Sequence, residues 1–334
     1  MNRLNRGACG PATQSFRPLG DADFKISTPA LLTAPHWAAE LASGPATSET
    51  ANLDLRHSEH FTLLTLRIPG ADIADGPTLE SITESAYRKL LLTLQSRPHP
   101  HPLRIWNFVP RILDDGGDGL NRYMRFNAGR HRAYADLLGG PNTFDHSLPA
   151  ASGVGHAGPD MVIHALASST PGTPIANPRQ CPPHRYSRQY GPLPPCFARA
   201  TRIQIGSDSP MLFIGGTASI RGEHSLHLAD LENQLAETRE NLIALLGAAT
   251  NRAPDPQLLN HLDQLRIYYP NSTDLPQIRA AVEQWFRYPD RIEWRPATLC
   301  RGELLVEIEG RASLREGEAG VAPGGRGSWR AGIV

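Results

Sequence analysis

The sequence predicts an α+β protein of two tandem units, each a mixed sheet with helices packed on one face. Three observations carry that prediction. Strand and helix patterns run through the same order twice, a proline-rich segment separates the two runs, and similar tetrapeptides stand at one place in each: LRIW from Leu103 and LRIY from Leu265. The period is far longer than that of a solenoid, so the chain reads as a duplication of domains. The expected boundaries are a flexible N-terminus over 1–20, a first unit over 21–168, a second over 169–312 and a flexible tail over 313–334. Both ends are predicted to be loose because they lack periodic apolar residues, the tail being glycine-rich as well.

In the first unit, EHFTLLTLRIPG from Glu59 reads as a strand ending at Gly70, and Leu79, Ile82, Ala86, Leu90 and Leu94 mark one face of a helix. A strand follows in LRIWNFVPRI, then a helix from Gly129 in GRHRAYADLLGG, then a strand in DMVIHALAS from Asp160. The second unit gives PMLFIGG, a strand ending in Gly215 and Gly216, then a helix face of Leu228, Leu231, Leu235, Leu242 and Leu245, capped by Gly247. LRIYY, the helix DLPQIRAAVEQWF from Asp274 and a last strand in GELLVEIEG complete it. Between the units, the prolines and glycines of SSTPGTPIANPRQCPPHRYSRQYGPLPPC oppose regular structure. That segment is either a plain linker or, given its close-set arginines and tyrosines, a functional loop.

Bulk composition excludes several roles. A chain of 334 residues with 40% apolar content fills two cores, and its 33 acids balance 33 bases. No global field then favours nucleic acid or an anionic membrane, and anion specificity must come from local arginines. Cys9, Cys181, Cys196 and Cys300 are too widely spaced for a zinc motif or a dense disulfide framework. The N-terminus lacks the apolar core of a signal peptide, and no run approaches about 20 apolar residues. The expectation is a cytoplasmic protein. His99 and His101, held among prolines without a nearby acid or cysteine, do not read as metal ligands.

The chemistry concentrates in LCRGELLVEIEG, Leu299 to Gly310. Alternation places Leu304, Val306 and Ile308 on one side and Leu305, Glu307 and Glu309 on the other. Glu307 is therefore either a wetted acid on a half-buried strand or a desolvated carboxyl kept protonated for acid catalysis. Aligning the units sets Val306, Glu307 and Ile308 against Val162, Ile163 and His164, so the fold itself does not demand an acid there. Arginines and tyrosines gather in LNRYMRFNAGR, RYSRQYGP and PCFARATRI, a combination suited to a small, multiply anionic ligand. The glycine pair of FIGGTAS serves either a close ligand approach or a tight turn.

Six separated motifs, RIWNFVPRI, LNRYMRFNAGRHRAY, PGTPIANPRQ, RYSRQYGPLPPCFARA, FIGGTASIRGEHS and LCRGELLVEIEG, together resemble the chorismatase family over roughly residues 55 to 310. The closing VEIEG also resembles the end of the YjgF-type reactive-intermediate deaminase fold, which is chorismate-mutase-like and two copies of which build a chorismatase. The resemblance implies cleavage of the enolpyruvyl ether of chorismate with release of pyruvate, using no metal or organic cofactor. It implies Glu307 as the acid, and Tyr123, Arg130, Tyr190 and Arg199 as pocket residues. Arg295 enters by analogy with the deaminase fold. Cys300 resembles a cysteine of the branch that aromatises to 3-hydroxybenzoate, sometimes with 4-hydroxybenzoate, and Gly216 and Ala218 belong to the part of the pocket that sets the fit. The rival readings are a hydrolase forming 3,4-dihydroxycyclohexa-1,5-diene carboxylate, a YjgF-like enamine or imine deaminase, and a non-catalytic metabolite-binding protein. None of these involves nucleic acid or membrane, and none fixes an oligomeric state.

Overall fold

The structure, a computed structural model, describes residues 32–314. The predicted loose ends over 1–20 and, but for its first two residues, 313–334 lie outside the described residues. After a short helix α1 (His36–Leu41) come β1 (Ala46–Thr50), β2 (Leu53–His57), β3 (Phe61–Ile68), helix α2 (Gly76–Gln95), β4 (His101–Pro110), helix α3 (Arg122–Leu137), β5 (Ala150–His156) and β6 (Met161–Ser168). The second run is β7 (Thr173–Ile175), β8 (Ala200–Ile203), β9 (Met211–Thr217), a small hairpin of β10 (Ile220–Arg221) and β11 (His224–Ser225), helix α4 (Leu231–Thr250), β12 (Leu262–Tyr269), helix α5 (Leu275–Glu283), β13 (Ile292–Pro296) and β14 (Glu307–Ser313).

The strand orders β1-β2-β3-β6-β4-β5 and β7-β8-β9-β14-β12-β13 are the same order. In both sheets a single parallel pair, β4 with β5 and β12 with β13, interrupts otherwise antiparallel pairing. The fold is thus mixed α+β with two similar sheet-and-helix units, and LRIW and LRIY occupy equivalent places on β4 and β12. The ladders correct the alignment of the units at one point. Trp106 faces His164 across β4 and β6, whereas Tyr268 faces Glu307 across β12 and β14. The counterpart of Glu307 is therefore His164, one residue beyond Ile163. His164 is buried but satisfied, with Nδ1 2.8 Å from the Thr65 hydroxyl and Nε2 2.7 Å from the Leu32 carbonyl.

Side-chain alternation sorts each sheet into two faces. Ile105 and Val109 of β4 join Leu90 and Leu94 of α2 in one core; Ile267 and Ile308 join Leu242 of α4 and Val282 of α5 in another. The opposite faces of the two sheets meet in a third core, where Trp37 of α1 lies 5.3 Å from Trp106 of β4 and 5.7 Å from Phe213 of β9 between ring centroids. A fully buried ion pair crosses this middle layer: the Arg104 guanidinium donates to Glu309 at 2.6 Å. Glu309 also accepts from the Trp106 indole at 3.0 Å and the Tyr268 hydroxyl at 3.1 Å. A seam joins the sheets as well, since Gly155 and Ala150 of β5 donate to the Thr298 carbonyl and the Thr201 hydroxyl, and Ala198 donates back to Pro149.

Several local expectations shift for identifiable reasons. Helix α3 begins at Arg122 rather than Gly129, because Asn121 caps it by accepting from the Met124 amide and Arg122 is tied to the carbonyls of Ala71, Ala74 and Pro110. Leu228 precedes α4 and is exposed; Gly247 lies within that helix, which ends instead at Asn251 in the left-handed region, φ 55°. Leu304 belongs to the middle core and not to a strand, for β14 opens only at Glu307. The joining segment contributes β7 and two single turns of 3-10 helix, and otherwise runs without regular structure.

Removing one partner of a buried ion pair strands the other charge, at a cost of about 3–5 kcal/mol. Arg104→Met is expected to lower stability by that amount in urea denaturation. Arg67→Met, which breaks the more exposed pair with Asp160, costs under about 1 kcal/mol. Equal effects would contradict the buried pair's role.

Candidate active site

A cavity of about 240 Å³ opens where the seam, α3, the joining segment and the start of β14 converge. A dry cavity of about 150 Å³ holds benzene, so this volume suits a substituted six-membered ring. Leu113, Met124, Pro195, Phe197, Ala218 and Ile220 supply apolar wall. Glu307 stands at the base, 4% exposed, with Oε1 buried and without a hydrogen-bond partner. Burial, reinforced by the nearby Glu309 carboxylate, pushes its carboxyl up to about 8, against the lowering influence of Arg104 and Arg199. Its bland reading as a wetted acid is therefore overturned by position.

Gly216 explains how so large a carboxyl fits. A Cβ on Gly216 would stand 2.2 Å from Glu307 Oε1, so the absence of a side chain there is what admits the acid. A Cβ on Gly215 would stand 2.7 Å from the Ala151 carbonyl, where β5 crosses the seam. The glycine pair is thus a close-approach device in which one glycine serves the acid and the other the joint between units.

Around the acid are three arginines with no ion pair to any acid among the described residues. Arg130 and Arg199 are buried against Phe197, their guanidinium carbons 5.8 and 5.3 Å from its ring centroid. Arg130 donates to Asn127 at 2.8 Å; Arg199 donates to the Tyr186 hydroxyl at 2.6 Å and the Cys181 carbonyl at 3.1 Å. The Nε of each is buried without a partner. Arg301, at the mouth, lies 4.0 Å over the Tyr190 ring and donates to the Glu223 carbonyl and the Ser225 hydroxyl. The loop bearing Tyr186 and Tyr190 is latched by Glu223, whose carboxylate accepts from the Ser187 amide and hydroxyl and from Gln189. Buried guanidiniums that lack acids suit an incoming carboxylate. Burial also raises the Tyr123 phenol above its usual range and lifts the Cys300 thiol to about 12, leaving both neutral.

A family model described as "Chorismatase FkbO/Hyg5-like, N-terminal" matches residues 36–167. A 3-hydroxybenzoate synthase of Streptomyces hygroscopicus is 33% identical over 236 residues, 68% of either chain. The chain belongs to the chorismatase family. A chorismatase of Streptomyces rapamycinicus is 28% identical over 72% of each chain. The crystal structure of a chorismatase superimposes with a TM-score of 0.71 at 26% identity, covering 80% of this chain and 79% of that one.

Within this chorismatase fold, Glu307, Cys300, Tyr123, Arg130, Tyr190, Arg199, Gly216 and Ala218 all line the one cavity. Arg295 does not. It lies on β13, at the sheet edge beyond β12, and donates to Glu293 at 3.0 Å. Arg122 and Arg125, from the same sequence cluster as Arg130, hold backbone carbonyls and Glu80. Tyr186 belongs to the close-set arginines and tyrosines that marked the joining segment as a functional loop, whereas Arg301, Ser152 and Phe197 were not singled out from sequence. Tyr186 and Arg301 sat inside quoted motifs, but Ser152 lies on the glycine- and alanine-rich β5, which carries no periodic signal.

A raised carboxyl has a thermodynamic signature. Between its ordinary value of 4.5 and about 8, the folded protein keeps a proton that the unfolded chain has shed, so Glu307 makes stability fall as pH rises through that window. In Glu307→Gln this loss is absent. Its melting temperature relative to the parent should climb from pH 4.5 to about 8 and then level. A pH-independent offset in scanning fluorimetry would show that Glu307 is ionised throughout.

Proposed function

We propose that this protein cleaves chorismate to 3-hydroxybenzoate and pyruvate, with Glu307 as the acid. The observation that carries the reading is a buried, unpartnered carboxyl, pushed well above its usual range by desolvation, enclosed with buried arginines that lack acids. Family membership supports the substrate, and the 3-hydroxybenzoate synthase among the relatives supports the product.

Chorismate carries a ring carboxylate and an enolpyruvyl carboxylate. Arg130, Arg199, Tyr123 and Tyr190 receive them, replacing the water each carboxylate loses on entering the cavity. Glu307 transfers its proton to the terminal methylene carbon of the enol ether, giving an oxocarbenium-like centre. The ring C–O bond then breaks, and its electron pair completes the carbonyl of pyruvate. The neighbouring ring hydroxyl oxygen bonds to the vacated ring carbon and loses its proton, forming an arene-oxide-like intermediate. Opening of this ring and loss of a ring proton give 3-hydroxybenzoate, so the proton supplied by the acid is returned overall. No water is consumed, and an apolar wall that excludes water favours internal attack. Cys300 and Ala218 line the part of the wall that sets this branch.

Incubation with chorismate tests the reading through pyruvate release and chromatography of the aromatic acids. Glu307→Gln keeps the shape and removes the proton, so turnover should fall at least about a hundredfold. More than a tenth of parental activity would remove Glu307 from the mechanism. Cys300→Ala should divert part of the flux to the dihydroxycyclohexadiene acid or to 4-hydroxybenzoate; an unchanged ratio assigns the branch to other wall residues.

Arg130→Ala and Arg199→Ala should each weaken binding of chorismate or a stable dicarboxylate analogue by about 2–5 kcal/mol in calorimetry. Unchanged affinity in both would move the carboxylate sites elsewhere.

A further inference from the structure

Glu307 and Glu309 lie two residues apart on β14 and point from the same face, yet their surroundings differ. Glu309 is wholly buried and takes three donors, Arg104 at 2.6 Å, Trp106 at 3.0 Å and Tyr268 at 3.1 Å. Glu307 Oε1 takes none. A carboxyl surrounded by donors keeps its charge, and a second carboxyl beside it in a low-dielectric interior cannot readily ionise as well. We propose that Glu309, held as an anion by donors from both units, is the positioning residue that directs the pair's single proton onto Glu307. The inference deepens the acid role proposed above and rests on it.

The groups facing Glu307 are consistent with this division. Glu309 is its neighbour on β14, Tyr268 stands opposite on β12, Arg104 approaches from β4 and Arg199 from the entry to β8. Tyr123 of α3 and the Cys300 thiol are neutral beside it, and Glu303 at the mouth is bonded by the Ser225 hydroxyl. The charge of Arg104 is matched by Glu309, to which it is paired. Without Glu309, Arg104 would act on Glu307 unopposed.

Glu309→Gln keeps the volume and one acceptor but removes the negative charge. The basic limb of kcat/KM for chorismate, near pH 8 in the parent, should move down by roughly one to three pH units. Activity would then fall at neutral pH and recover as the pH is lowered. Tyr268→Phe, which leaves both carboxyls in place, should not lower the limb. A Glu309→Gln enzyme whose loss of rate is the same at every pH overturns the proposal, because damage to packing alone does not move a titration.

Infrared spectroscopy of the protein without substrate decides the matter if Glu309→Gln does not fold. The parent should show a protonated-carboxyl band at neutral pH that Glu307→Gln lacks. A band that persists in Glu307→Gln would put the proton on Glu309 and overturn the proposal. This readout is independent of turnover, so it separates a wrong proton assignment from a wrong substrate.

Discussion

The Glu309 carboxylate sits where the two sheets meet and is satisfied from both sides, by Arg104 and Trp106 of the first unit and by Tyr268 of its own. Burying an ion pair is costly unless most of the remaining hydrogen-bonding capacity is filled; here the carboxylate has three donors and Arg104 also reaches the Ile105 carbonyl and the Ser152 hydroxyl, leaving only its Nε without a partner. The arrangement works only in one relative placement of the units. It therefore locks the middle layer, where Trp37 fills the space between Trp106 and Phe213, and it fixes β14 against β4. The candidate acid stands on the first residue of that strand.

From this constraint the character of the cavity follows. One end is closed by the joint between units, where Gly215 lets β5 come close and Gly216 leaves room for the Glu307 carboxyl. Along the side, Phe197 packs against two buried guanidiniums that have no acid partner. At the mouth, Glu223 holds the tyrosine-bearing loop and Arg301 lies against it. The chain thus concentrates positive charge around a buried, unpartnered carboxyl although its total charge is zero. Such a site suits a carboxylate ligand while leaving the nearby carboxyl unpaired. It does so by desolvation and geometry rather than by a global field.

Much of the fold was legible because its signals are local. Helical periodicity in α2 and the paired LRIW and LRIY segments revealed the duplication, and strand alternation put Glu307 and Glu309 on one face. What escaped was carried by small or short elements. β5 is mainly alanine, glycine and serine, and β13 is five residues at a sheet edge, so neither has a pattern to read. At the site, sequence could gather Arg122, Arg125, Arg130 and Arg199 but not sort them. Whether an arginine ends on backbone carbonyls, as Arg122 does, or beside a cavity without an acid, as Arg130 does, depends on contacts with distant segments. The alignment of Glu307 with Ile163 failed for a related reason. Only the ladder shows His164 as the equivalent residue, satisfied in one unit where Glu307 is left free in the other.

Turnover of chorismate in water labelled with oxygen-18, with pyruvate reduced to lactate as it forms, reports most directly on acid-driven cleavage by internal attack. If the ring C–O bond breaks and the ring hydroxyl closes on the vacated carbon, neither lactate nor 3-hydroxybenzoate carries solvent oxygen. Label in lactate would mean that water adds to the enolpyruvyl carbon and the ring keeps the ether oxygen. Label in the ring product would mean that water attacks the ring. Either result, or the absence of any pyruvate, contradicts the mechanism.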